Sequence, residues 1–105
     1  MIFRRPSRFG DLIDRQLDVF SHDEAVLLSD CREREQAYGR APREDAEEAY
    51  GDYVDAVDAA VDALEAMRDT FARTLDEDTA EAYEAEFNRA ARRRWPALGE
   101  ELAER

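Results

Sequence analysis

The sequence contains no lysine, one cysteine, one histidine, three prolines and four glycines. A single cysteine, Cys31, excludes a disulfide within the chain, and a thiol inside a helical pattern is most often a small buried side chain. One histidine, His22, leaves too few ligands for a His/Cys zinc site within one subunit, and the Glu-x-x-His pairs of ferritin-like di-iron bundles are absent. We therefore expect no metal and no cofactor.

Long apolar runs are also missing. No stretch approaches the roughly 18 residues that a membrane-spanning helix needs. The first nine residues carry a twin arginine, Arg4-Arg5, but Gly10-Asp11 and an amphipathic segment follow where an export signal has an apolar region. These absences predict a cytoplasmic protein without a membrane partner.

The charge is strongly one-sided, because 27 acidic residues face 15 basic ones and the net charge is −12. A chain of this charge repels nucleic acid and anionic lipid at long range. The sequence therefore predicts no nucleic-acid partner and favours a basic protein partner.

What is present indicates helices. A hydrophobic fraction of 44%, a charged fraction of 40% and few helix breakers in 105 residues are typical of one all-α domain. Apolar residues recur at alternating steps of four and three, which return to one face of a helix. This apolar stripe comprises Ala46, Tyr50, Tyr53, Val57, Ala60, Leu64, Met67, Phe71 and Leu75.

Three helical stretches of about thirty residues follow from this periodicity and the breaks in it. The first covers residues 8 to 39, with Ser7 as a cap, and Ser21-His22-Asp23-Glu24 has the capping-box form that predicts a kink or a fresh start near Ser21. The second runs from about Pro42 to Leu75, and the third follows Asp76-Glu77-Asp78-Thr79 and meets Pro96, which either kinks it or starts a short last helix.

Short connections make neighbouring helices antiparallel. We therefore predict an up-down-up bundle of three long antiparallel helices, of which the first and third can be kinked; a helical hairpin with detached end pieces is the alternative. The bundle domain spans residues 9–105. Residues 1–8 form a basic N-terminal arm, which either folds back onto the bundle or serves as a short docking peptide.

Four acidic residues repeat every seventh position along the second helix and therefore share one side of it. We call them the acidic column: Glu48, Asp55, Asp62 and Asp69. Either the arginines of the chain pair with this column, for example Arg32, Arg34, Arg40 and those from Arg89 to Arg94, or the column binds a basic surface of another protein. The column is our candidate partner-binding site.

No catalytic residues can be assigned. Ser29 lies two helical turns, about 10 Å, from the only histidine, which is too far for a nucleophile and its base. The segment from Arg8 to Arg34 is similar to the first helix of the helical chorismate mutases in its Ile13-Asp14 pair and scattered arginines. That family binds a dianion with several cations, whereas the second helix here carries carboxylates.

The sequence thus predicts a non-enzymatic helical module for protein–protein interaction that binds a basic partner through its acidic face. Its apolar stripes are wider than one interface needs, since Val54 and Val61 flank the stripe and Leu12 and Val19 flank the first helix face, so we also predict a homodimer. An acidic antitoxin-like or nucleic-acid-mimic regulator is the first alternative. A small helical enzyme with an arginine anion site is the second.

Overall fold

The computed structural model describes residues 8–105, of which 88% are helical and none is in a strand. The all-α prediction is confirmed, but the prediction of three helices is wrong, because five are present. They are α1 (Gly10–Asp23), α2 (Ala25–Arg40), α3 (Ala46–Ala72), α4 (Glu77–Arg94) and α5 (Pro96–Ala103), with a short 3₁₀ turn at Arg43–Asp45. The N-terminal arm, apart from Arg8, and the proposed Ser7 cap lie outside the described residues.

The first long stretch breaks at Glu24 and not at Ser21. Glu24 has φ −109° and ψ 30°, which lie outside the α-helical range, so α1 ends before it and α2 begins after it. Ser21 lies inside α1, where its hydroxyl donates a hydrogen bond to the carbonyl oxygen of Leu17 at 2.9 Å. The capping box therefore does not form, because the serine side chain is already bonded to the preceding turn.

Two other boundaries follow from single residues. A carboxylate oxygen of Asp76 accepts a hydrogen bond from the backbone N–H of Thr79 at 3.0 Å, and this N-cap starts α4. Pro96 occupies the first position of α5, after Trp95 has left the helical conformation with φ −138° and ψ 86°. A proline lacks the N–H that would continue α4, whereas the first turn of a helix does not need it.

Helix α3 is the centre of the molecule and packs against α2, α4 and α5. It runs antiparallel to α2, since the Cys31 thiol donates to the Ala56 carbonyl oxygen at 3.3 Å. It is also antiparallel to α4, because Phe71 contacts Tyr83 with ring centroids 4.8 Å apart. Helix α1 packs against α4, and α5 turns back along α4 towards α3.

The core lies where α1, α3, α4 and α5 meet. Its largest fully buried side chains are Tyr83, Phe20, Phe87, Ile13, Leu17, Leu64, Leu102 and Val61. The buried Arg68 links three helices: its guanidinium donates to Asp69 at 2.8 Å, to the Asn88 side chain at 3.0 Å and to the Leu102 carbonyl oxygen at 3.4 Å. Burying a charge is tolerated here because its hydrogen bonds and a carboxylate compensate it.

Candidate interaction surface

The acidic column lies on the side of α3 that faces away from the core. Glu48, Asp55 and Asp62 are exposed, and Asp69 is half-buried. The apolar stripe occupies the opposite side, where Val57, Ala60 and Leu64 are buried. Because α3 is amphipathic, its apolar side contributes to the core and its acidic side forms the candidate site.

The structure divides the acidic column into two halves. In the C-terminal half, Asp62 accepts a hydrogen bond from Arg105 at 2.7 Å, and Asp69 accepts one from Arg68 at 2.8 Å. In the N-terminal half, Glu48 and Asp55 have no hydrogen bond or ion pair with any residue from 8 to 105. The four predicted site residues thus share a helix face but differ in what neutralises them.

Arg105 is the cation that pairs with Asp62 in the C-terminal half of the acidic column. Its guanidinium lies 2.7 Å from Asp62, 3.1 Å from Glu65 and 3.8 Å from Asp58. The hydrogen bonds to Asp62 and Glu65 raise the pKa of Arg105 above its usual value. Sequence reasoning missed Arg105, because 43 residues separate it from Asp62.

Three of the arginines that we expected to pair with the acidic column have other partners. Arg94 pairs with Asp18 of α1 at 2.8 Å, and Arg92 lies 3.7 Å from Glu100 of α5. Arg34 lies 3.4 Å from Asp30 on its own helix and 3.9 Å from Asp52. These three arginines thus contact carboxylates outside the acidic column.

The α2–α3 hairpin ends in a segment without a core. None of the residues 32–55, which we call the hairpin tip, is buried. The radius of gyration is 15.9 Å, compared with about 13 Å for a compact domain of this length. The tip carries eight carboxylates and four arginines, so it is acidic as well as solvent-exposed.

At the hairpin tip, where no side chain is buried, three tyrosines pack against one another. Tyr38 of α2 lies between Tyr50 and Tyr53 of α3, with ring centroids 5.2 Å and 6.5 Å apart, and the second pair is nearly parallel. Tyr38 and Tyr50 remain 41% and 51% exposed. The Tyr53 hydroxyl donates to Glu35 at 3.4 Å, and burial together with that carboxylate raises the pKa of Tyr53. Sequence periodicity had placed both α3 tyrosines in the buried stripe, because periodicity identifies one face of a helix but not where along the helix that face is covered.

The Cys31 thiol and the His22 imidazole have different surroundings, since Cys31 is buried and His22 is exposed. Burial and the neighbouring Asp30 raise the pKa of the Cys31 thiol, which disfavours the reactive thiolate. His22 is exposed, and among residues 8–105 its side chain has a polar contact with Asp23 alone, at 3.2 Å. Residues 8–105 contain no group of three or more side chains arranged to hold a metal ion.

Two further findings bear on what the surface contacts. In the described part of the chain, no helix combines the length and apolar character needed to cross a bilayer. Comparison with protein-family models, with curated proteins and with solved structures gave no match to this chain.

Proposed function

We propose that this protein is a non-enzymatic interaction module that binds a basic segment of another protein through the N-terminal half of the acidic column. The observation that carries this proposal is that Glu48 and Asp55 are exposed and lack a partner within residues 8–105. Asp52 lies between them, four residues from Glu48 and three from Asp55, and although Arg34 lies 3.9 Å from Asp52, three carboxylates still share one side of the helix. Such pairs of like charges cost a few tenths of a kcal/mol each, and a cationic partner removes that cost.

The tyrosines of the hairpin tip support the same proposal. Tyrosine is enriched among the residues that dominate binding energy, because it supplies a large contact area with few rotatable bonds. Arginine and lysine side chains also stack on aromatic rings. A basic segment at the tip therefore meets carboxylates on one side of α3 and the exposed rings of Tyr38 and Tyr50 on another.

A nucleic-acid mimic receives less support from these contacts. Glu48 and Asp55 lie seven residues apart, about 10 Å along the helix axis, whereas duplex DNA carries one charge per about 1.7 Å. The remaining length of the column is already neutralised by Arg68 and Arg105. A compact cluster of cations fits the free half better than a long groove made for nucleic acid.

The test compares two variants of equal charge. After capture of a partner from a lysate of the native host, its association is measured by surface plasmon resonance at low and high salt. We expect Glu48→Gln with Asp55→Asn to slow association and flatten its salt dependence, because removing steering charges acts mainly on the rate of encounter.

The control is Asp11→Asn with Glu81→Gln. Both residues are exposed, neither has an ion pair among the described residues, and they lie on α1 and α4. This control should retain the association rate and salt dependence of the unmodified protein. If both double variants slowed association equally, net charge and not the acidic column would be responsible. Unchanged binding by Glu48→Gln with Asp55→Asn would refute the proposal.

Self-association is the second part of the proposal. A groove of about 610 Å³ runs between α1 and α3, and its apolar lining includes Leu12, Val19, Met67 and Phe71. Val19 is 51% exposed, so part of this apolar lining is open to solvent. Val61, which the sequence assigned to a subunit contact, is fully buried within the chain. The α1–α3 groove is therefore the surface we propose for the two-fold contact between copies.

A further inference from the structure

A second cavity lies at the base of the hairpin tip, where α2, α3 and the α4–α5 junction meet. Its volume is about 560 Å³, within the range of about 300–1,000 Å³ that is typical of small-molecule sites. Its apolar floor is formed by Leu28, Val57 and Leu98, which are 6%, 7% and 4% exposed. Trp95 forms one wall. The cavity therefore offers an apolar volume that the side chains of this chain leave unfilled.

Of the two arginines that line this cavity, one has no ion pair with the described residues. Arg94 also lines it, but its guanidinium is held by the Asp18 carboxylate at 2.8 Å and the Asp14 carbonyl oxygen at 3.2 Å. Arg32 is exposed and has no hydrogen bond or ion pair with residues 8–105. Arg32 is therefore a cation that no carboxylate of residues 8–105 neutralises, and it lines this apolar cavity.

The neighbouring polar groups limit the charge that a ligand of this cavity can carry. Glu35 lies at the same cavity and accepts a hydrogen bond from the Tyr53 hydroxyl at 3.4 Å. Its carboxylate repels negative charge on a bound molecule, so a ligand with one carboxylate is favoured over a ligand with two. The Cys31 thiol donates to the Ala56 carbonyl oxygen, so it presents an uncharged sulfur to the cavity.

We propose that this cavity binds a small organic monocarboxylate with an apolar body. The carboxylate pairs with the Arg32 guanidinium, which can bind both oxygens at once. The apolar body occupies the space between Leu28, Val57 and Leu98, where it is removed from water. This binding is independent of the partner site, because the cavity lies on the core side of α3 and the acidic column on the outer side.

The test uses 4-phenylbutyrate as the probe and Trp95 as the reporter. Trp95 is the only tryptophan in the chain, so its emission reports on this cavity alone. We expect a saturable change in emission, with matching shifts of the Leu28 and Val57 methyl signals in NMR spectra. Because a hydrogen bond to a charged group is worth about 1.5–3 kcal/mol, Arg32→Gln should weaken binding by about tenfold or more.

Three controls separate this site from non-specific association. Arg43→Gln removes another exposed arginine without an ion pair in residues 8–105, and it should bind the probe as the unmodified protein does. The neutral analogue 4-phenyl-1-butanol should bind about tenfold more weakly. Ala97→Phe, at an exposed position on the cavity wall, should block binding while the helical spectrum is retained.

The proposal would be overturned by the absence of a saturable response up to about 10 mM probe. Equal loss of affinity in Arg32→Gln and Arg43→Gln would also overturn it, since attraction to any arginine would then suffice. So would equal affinity for the acid and the alcohol, which would mean that the cavity binds apolar molecules without reading their charge.

Discussion

Gly99 is the residue at which α5 comes closest to α4. A Cβ atom at this position would lie against the Cα of Arg92 and 2.5 Å from its backbone nitrogen. The two helices can touch only because glycine has no side chain. Gly51, in the exposed face of α3, has nothing within 4 Å of the position of a Cβ.

The two glycines should respond in opposite directions to alanine. Gly99→Ala forces α5 away from α4, and overpacking of this kind costs about 1–3 kcal/mol. Gly51→Ala should raise the free energy of unfolding by about 0.5–1 kcal/mol, because alanine loses less backbone freedom in a helix. Urea unfolding followed by circular dichroism measures both. Unchanged stability of Gly99→Ala would show that α5 does not pack as described.

Tyr83 predicts how the fold responds to alkaline pH. It is fully buried and its hydroxyl donates to the Gln16 side chain at 2.7 Å. Burial, as the main cause, raises the pKa of Tyr83 to about 12. The neutral phenol therefore stabilises the fold fully below the unfolded tyrosine pKa of about 10, and this contribution is lost as pH rises through about 12.

Absorbance at 295 nm should show one tyrosine that ionises only near pH 12 or together with unfolding. The variant Tyr83→Phe should remove this last step and cost about 0.5–1.5 kcal/mol at neutral pH, as expected for one hydrogen bond. As the pH rises towards about 12, the free energy of unfolding of Tyr83→Phe should also fall less than that of the unmodified protein. If the late step persisted in Tyr83→Phe, another tyrosine would be responsible for it.

At the scale of the element, α3 shows that one periodic stripe can serve two purposes. Its middle is core, since Leu64 is fully buried within the hydrophobic core. Its N-terminal end belongs to the hairpin tip, where Tyr50 remains half-exposed. The stripe is uniform in sequence, but residues 46–55 of α3 contain no buried side chain, whereas the middle of the helix is buried in the core.

The loss of stability caused by alanine substitutions along the stripe should increase with the burial of the substituted side chain. Leu64→Ala should cost about 2–5 kcal/mol, because it leaves a cavity in the core. Phe71 is half-buried and contacts Tyr83, so Phe71→Ala should fall at the lower end of the same range. Tyr50→Ala should cost less than either. Thermal unfolding tests the order, and an equal cost at all three positions would contradict it.

At the scale of the whole molecule, apolar and acidic surfaces are separated. The α1–α3 groove is apolar, whereas the hairpin tip carries the unpaired carboxylates. A net charge of −12 opposes close contact between two copies unless their acidic surfaces point apart. A contact through the groove satisfies that requirement and leaves Glu48 and Asp55 available.

We therefore predict a two-fold homodimer, with about twice the chain mass of 12.1 kDa in sedimentation at micromolar concentration. Val19→Glu places a charge in the groove and should give a folded monomer. Val26→Glu is the matched control, because Val26 is 82% exposed on α2 and does not line the groove. A monomer for the unmodified protein, or dimers for both variants, would reject the groove as the contact.

The local pattern of residues was sufficient for the class of the fold and for much of α3 and α4. Helical periodicity and the Asp76–Thr79 break depend on residues within a few positions of one another. The core positions Val57, Ala60 and Leu64 were therefore predictable, as was the shared face of the acidic column. Pro96 likewise marked a boundary, because the missing N–H acts within its own helix.

Tertiary contacts decided the rest, because they join residues that the chain keeps far apart. Arg105 neutralises Asp62 across 43 positions, and Gln16 meets Tyr83 across 67. Neither pairing leaves a periodic trace in the sequence, so the division of the acidic column and the cavity beside Arg32 became visible only in the folded chain. The break at Glu24 belongs to the same class, since α1 turns there to pack on α4 while α2 follows α3. A helix face is a local property, whereas its charge balance and its covering depend on which distant residues the fold brings beside it.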